Sequence, residues 1–232
     1  VATALLAKGA KIDSEDDSKK MPLHWACMRG LLDVATALLA KGAKVDAEDD
    51  SKKTPLHLAC LNGPSDVATA LLAQGAKVDA EDGNKWTPLH CACMKGHSDV
   101  ATALLAKGAK VDAEDDRKKT PLHYACENGH SDVVIALLAK GANAKATDED
   151  GKTPGECAIQ GKHPMLLALV DPELAATKGE ELKAAFERAK KVHVISTRYR
   201  RAEGHGEEGH LKDGEVASND PWIAAATVKL FL

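Results

Sequence analysis

Aromatic residues make up only 3% of this 232-residue chain: three Trp, two Tyr and two Phe. Its core must then be assembled from Leu, Ala and Val, which suits thin helices packed closely in pairs and points to an all-α fold. Long apolar runs are missing too. None approaches the roughly 20 residues needed to cross a bilayer, and no charged-then-apolar signal segment opens the sequence. The expectation is a cytoplasmic or nuclear protein with no membrane partner. A dominant charge is also lacking, since 31 Lys and Arg against 35 Asp and Glu leave a formal charge of -4. That balance offers polyanions no global attraction and argues against nucleic acid as the partner. With 44% apolar and 28% charged residues, the chain has the makings of a folded protein rather than a disordered or fibrous one.

What is present is a repeat. Met21-Pro22-Leu23-His24, Thr54-Pro55-Leu56-His57, Thr87-Pro88-Leu89-His90 and Thr120-Pro121-Leu122-His123 begin 33 residues apart, and a fading fifth copy begins at Thr153-Pro154. Leu-Leu pairs at Leu5, Leu38, Leu71, Leu104 and Leu137 keep the same step. Each unit reads as helix, turn, helix and loop. The threonine is expected to cap the first helix through its hydroxyl, with proline at the first helical position, where a missing N–H costs nothing. Leu56, Ala59 and Cys60 fall at i, i+3 and i+4 and mark the buried face. Gly30, Gly63, Gly96 and Gly129 end that helix by supplying positive φ. A second helix is expected to start at Ser65-Asp66, Ser98-Asp99 and Ser131-Asp132, their side chains satisfying free N–H groups, and Gly42, Gly75, Gly108 and Gly141 close it. Two such short helices cannot bury their faces alone, so each unit needs its neighbours.

The pattern Thr-Pro-Leu-His-x-Ala-Cys, then Gly-His, then Leu-Leu-Ala-Lys-Gly-Ala, repeated every 33 residues over about residues 1 to 170, resembles ankyrin repeats. The resemblance implies a solenoid of stacked antiparallel helix pairs, with β-hairpin fingers along one edge and a concave surface between fingers and first helices. It implies that each His of Thr-Pro-Leu-His bonds the loops of neighbouring units, and that the protein binds a protein partner without catalysis or cofactor. The expected organisation is a partial repeat at 1–16 and four full repeats at 17–49, 50–82, 83–115 and 116–148. A degraded capping repeat at 149–171, an amphipathic helix at 172–192 and a mostly disordered tail at 193–232 follow. Lys19, Lys52, Lys85 and Lys118 stand where the family has a finger-tip glycine, and only Gly151 conforms. In the fifth unit Gly155-Glu156 replaces Leu-His and the glycine moves to Gly161. Val1 aligns with Val34, so the chain is expected to open inside a second helix as a fragment of something longer.

The tail has its own signals. Thr177-Lys178-Gly179-Glu180 resembles a capping box, and Leu182, Ala185, Phe186 and Ala189 keep helical spacing, which places an amphipathic helix near 178–192 against the last repeat. Residues 202–220, rich in Gly, Glu and His, have almost no apolar content and are expected to be disordered.

Candidate chemistry dissolves into the repeat. His90, Cys91, Cys93 and His97 cluster like a zinc set, but His90, Cys93 and His97 each occupy positions filled identically in other units, and paired Cys-x-x-Cys is missing. Six cysteines do not spell a disulfide framework either, because Cys27, Cys60, Cys93 and Cys126 recur at the 33-residue step and Cys91 and Cys157 share another. His205-Gly-Glu-Glu-Gly-His210 is one residue too long for a His-Glu-x-x-His motif, with glycines opposing a helix. No metal, cofactor or catalytic residue is expected.

Specificity must lie where units differ. Residues 34–50 and 100–116 are identical, so second helices cannot distinguish units. Differences fall at first-helix ends, in the pairs Met28-Arg29, Leu61-Asn62, Met94-Lys95 and Glu127-Asn128, and, a step earlier, at Trp25, Leu58, Cys91 and Tyr124. Trp86 stands where other fingers carry Lys20, Lys53 and Lys119. The expected binding surface for a protein segment is therefore Met28, Arg29, Leu61, Asn62, Trp86, Met94, Lys95, Glu127 and Asn128, with Met28, Leu61 and Met94 forming an adaptable apolar row and Trp86 an anchor. The competing expectation is that these side chains pack between repeats and Trp86 lies over a neighbouring finger. The finger lysines face acidic runs such as Glu48-Asp49-Asp50, which argues against a polyanion track. A monomeric scaffold is expected; the alternative is the targeting portion of a larger enzyme, a kinase, ubiquitin ligase or transferase, whose catalytic domain lies outside this chain.

Overall fold

The structure is a computed structural model that describes residues 8–62 and 65–176. Four helix pairs follow one another: α1 (Pro22–Met28) with α2 (Leu32–Ala40), α3 (Pro55–Asn62) with α4 (Ser65–Ala73), α5 (Pro88–Lys95) with α6 (Ser98–Ala106), and α7 (Pro121–Glu127) with α8 (Ser131–Ala139). A shorter fifth unit holds α9 (Pro154–Gln160), a 3-10 turn at Pro164–Leu166 and α10 (Leu167–Val170). First helices stack on first helices, second on second, and partners pack within each pair. Leu23, Leu56, Leu89 and Leu122 are fully buried at one level, and Cys27, Cys60, Cys93 and Cys126 at the next. Leu38, Leu71, Leu104 and Leu137 fill the second-helix side, giving one continuous core built almost without aromatics. Residues 172–176 are helical. The remainder of the expected 172–192 helix, the tail, Leu5 and Gly63 lie outside the described residues.

Helix starts differ in chemistry from the sequence expectation. Proline does sit in the first turn of α1, α5, α7 and α9. Among the described first helices, however, the threonine hydroxyl accepts a helix N–H only at Thr153, from Glu156. Elsewhere the histidine supplies the cap: Nδ1 of His57, His90 and His123 accepts the backbone N–H of Thr54, Thr87 and Thr120 at 3.1, 3.1 and 3.0 Å. This reaches back three residues as a capping-box glutamate would. Second helices start at Ser65, Ser98 and Ser131 as expected, but in the latter two the serine and aspartate side chains do not supply the cap. His97 and His130 occupy the cap positions without side-chain bonds, while Ser98, Asp99, Ser131 and Asp132 lie inside the first turn, where the aspartates favour the helix dipole.

The fingers are tight turns rather than β-hairpins; no strand occurs among the described residues. In each, an aspartate clasps the turn: Asp49 Oδ1 accepts the N–H groups of Ser51 and Lys53, both at 2.9 Å, and Asp49 N–H donates to the Lys53 carbonyl. The tip residue must be left-handed. Lys19, Lys52, Lys85 and Lys118 adopt φ of 57, 59, 57 and 56°, the conformation Gly151 takes at 75°. Single backbone bonds, Asp50 N–H to Ser18 O and Gly83 N–H to Ser51 O, tie successive fingers.

At the end of α9 the left-handed residue is Lys162 (φ 67°), not Gly161. Gly161 serves a steric need instead, because a Cβ there would collide with the Glu127 carbonyl.

Candidate functional site

Two sets of contacts bind unit to unit. In the first, Nδ1 of each repeat histidine is occupied as an acceptor, so Nε2 carries the proton and donates to the next finger: His24 to the Lys53 carbonyl (3.2 Å), His57 to Trp86 (2.9 Å), His90 to Lys119 (3.1 Å) and His123 to Lys152 (3.1 Å). Burial lowers the pKa of all four below the ordinary value, since a charged imidazole would lose both its water and its acceptor role. They tie each unit to the next.

In the second set, the residue two before the helix-starting proline reaches the clasp aspartate of the following finger in three units, at Lys20, Lys53 and Trp86. Lys20 Nζ lies 3.6 Å from Asp49 and Lys53 Nζ 2.7 Å from Asp82. Burial opposes the Lys53 charge, but the Asp82 carboxylate outweighs it and raises the lysine pKa; burial likewise opposes Asp82, and bonds from Lys53, Asn84 and Trp86 lower it. In the third finger Trp86 takes the lysine's place. Its indole N–H donates to Asp115 Oδ2 at 3.1 Å, the oxygen that also accepts Tyr124 O–H at 2.6 Å. The two rings pack with centroids 4.6 Å apart. Trp86 is thus half-buried over its neighbour finger, as the packing expectation had it, while still lining the surface. In the fourth finger Lys119 turns aside to Glu127, at 2.8 Å.

Lys119 to Glu127, and Lys152 to Gln160 at 3.1 Å, show that the residue before Thr-Pro faces the end of its own first helix. The row Met28, Leu61, Met94, Glu127 therefore runs between the fingers and the first helices. All four are half-buried, and the methionine and leucine positions contact the core at their base, except that Met94 is not among its packed neighbours. Arg29, Asn62, Lys95 and Asn128 stand exposed beside them. Asn62 and Asn128 fold back, each donating to the carbonyl four residues earlier.

Trp86 thus has two partners that the variable positions did not single out as a site, Asp115 and Tyr124, and Arg117 stands beside them through its backbone N–H to Asp115. Tyr124 was visible as a variable residue. Asp115 was findable from the step of 29 residues separating Lys53 from Asp82. Arg117 carried no signal.

The would-be zinc set is taken apart by its geometry. His90 bonds backbone on both sides, Cys91 and Cys93 are fully buried, and His97 begins a helix. Among the described residues no group of three or more His, Cys, Asp or Glu could hold a metal ion. Burial pushes the Cys27, Cys91 and Cys126 thiols up to about 12 and Cys157 to about 11, far from a nucleophile's range. No described helix is long and apolar enough to cross a membrane.

A stack of helix pairs tied by histidines and clasped fingers, with a variable row along one side, defines a helical repeat solenoid. Family models of ankyrin repeats match residues 1–82, 50–115, 74–148 and 110–179. The chain belongs to the ankyrin-repeat family, whose members are generally protein–protein interaction modules and generally non-catalytic. No curated protein matches it.

Proposed function

We propose that the array holds a segment of a partner protein on the surface between its fingers and first helices, centred on Met28, Leu61, Trp86 and Met94 and bordered by Arg29, Asn62, Lys95, Glu127 and Asn128. The observation that carries this reading is the coincidence of variability and exposure. Second helices repeat almost letter for letter, whereas the row facing the fingers changes from unit to unit and keeps part of each side chain in solvent. Unbranched methionines beside a leucine suit an apolar segment whose shape is not fixed in advance. The row changes character along its length, apolar at Met28, Leu61 and Met94 and polar at Glu127 and Gln160, so an amphipathic partner would have one orientation. The protein works as a monomer in the cytosol or nucleus; its six cysteines, all free and buried, suit such a compartment.

The test is capture of binding proteins from lysate by the intact chain, repeated with Met28, Leu61 and Met94 all changed to Glu. Each side chain keeps part of its surface in solvent, so the variant should fold. Captured proteins are expected to be depleted about tenfold or more, whereas Thr69→Glu, on the exposed side of α4, should leave capture unchanged. Equal capture by the triple variant would remove the site.

A further inference from the structure

Beside Trp86 lies a shallow depression of about 300 Å³ lined by Asn84, Trp86, Asp115, Asp116, Arg117 and Tyr124. It sits at the small end of ligand-sized clefts, with room for one long side chain. We infer that it receives an arginine side chain of the bound protein segment, the guanidinium lying on the Trp86 and Tyr124 rings above the buried Asp115 carboxylate.

Charge supports a cation here. In the two preceding fingers the clasp aspartate meets a lysine, Asp49 with Lys20 and Asp82 with Lys53. Asp115, only 5% exposed, receives the neutral donors of Trp86 and Tyr124 instead, together with the N–H groups of Arg117 and Lys119. Its hydrogen-bonding capacity is filled but its charge meets no cation among the described residues. Nearby, Lys85 lies 3.6 Å from Asp116 and Arg117 3.8 Å from Glu149, exposed pairs that cancel each other and leave Asp115 in excess.

The chain itself contains a completed version of this arrangement. In its first described unit, Trp25 donates its indole N–H to the clasp aspartate Asp16 at 2.9 Å, and the Arg29 guanidinium carbon lies 5.8 Å from the Trp25 ring centroid. Tyr124 stands to Asp115 as Trp25 stands to Asp16, nine residues on, Trp86 adds an indole N–H from the preceding finger, and among the described residues no guanidinium lies over either ring. Lys119 Nζ lies 5.3 Å from the Tyr124 centroid but is engaged by Glu127. A planar guanidinium fits flat aromatic walls better than a strongly hydrated ammonium.

The inference rests on the proposed function for the source of the arginine, but its test does not need the partner. The probe is the pentapeptide acetyl-Gly-Gly-Arg-Gly-Gly-amide, titrated into the full chain while NMR follows the Trp86 indole N–H and the Asp116 and Arg117 amides. A saturable shift is expected, at least about tenfold stronger than with the same peptide carrying neutral citrulline. In Trp86→Lys, which restores the pairing of the other fingers and should fold, the Asp116 and Arg117 shifts should vanish. Equal shifts with citrulline, undiminished shifts in Trp86→Lys, or no shift with arginine would each overturn the inference. None of these results would touch the row at Met28, Leu61 and Met94, whose own test is loss of capture.

Discussion

Trp86 donates its indole N–H to Asp115 across 3.1 Å, taking in the third finger the part that the Lys53 ammonium plays toward Asp82, at 2.7 Å, in the second. Two unlike side chains therefore serve one structural position. Exchange is expected to be tolerated in one direction: Trp86→Lys should change unfolding free energy by less than about 1 kcal/mol in urea titrations, because a lysine can reach Asp115. Lys53→Met should cost about 1–3 kcal/mol, because it strands the Asp82 carboxylate, whose side chain is 1% exposed. A large loss on Trp86→Lys would contradict the equivalence.

Finger tips carry stored strain. Lysine at φ near 57° costs about 1–2 kcal/mol relative to its favoured conformations, partly offset because glycine loses more entropy on folding. Lys52→Gly should therefore stabilise by about 0.5–1 kcal/mol, read as a raised urea midpoint with unchanged slope. Lys162→Gly should act in the same direction. A lowered midpoint at both positions would refute the left-handed assignment.

Gly161→Ala is expected to do the opposite, destabilising by about 2–4 kcal/mol, since its Cβ meets the Glu127 carbonyl backbone and not a movable side chain. Gly42→Ala, strained at φ 86° but facing open space, should cost about 1 kcal/mol. Thermal unfolding of the pair separates clash from strain.

The histidine ties set a pH window. Burial lowers the folded pKa of His24, His57, His90 and His123 below the ordinary imidazole value of about 6.5, so the unfolded chain binds more protons just below that pH. Their stabilisation is complete above about pH 6.5 and is lost as pH falls through the folded values. Urea midpoints should be flat between about pH 8 and 7 and fall steeply toward pH 5. A flat profile across that lower range would show that the rings are not buried as neutral donors.

Most of this architecture was legible because every unit states it again. A 33-residue period, proline at helix starts and glycine at helix ends specify the stack before any coordinates, since short amphipathic helices have nowhere else to bury their faces. What the sequence hid was which atom does each job. Histidine caps the first helices in place of threonine because its ring can reach both back to Thr54 and across to Trp86. Lys53, read only as the counterpart of Trp86, turns inward because a buried aspartate lies 29 residues on. The Tyr124 and Asp115 partners of Trp86 stayed out of the candidate site because they come from the next unit, and the 29-residue step to Asp115 shows only once Lys53 is seen to reach Asp82.

The measurement closest to the central claim is site-specific photo-crosslinking in cells, with benzoylphenylalanine placed at position 61, between fingers and first helices, or at position 69, on the exposed side of α4. If the array holds its partner along the Met28, Leu61 and Met94 row, position 61 should yield a discrete protein adduct that disappears when Met28 and Met94 are changed to Glu, and position 69 should yield none. Adducts from position 69 alone, or from both positions alike, would place the partner elsewhere and contradict the claim.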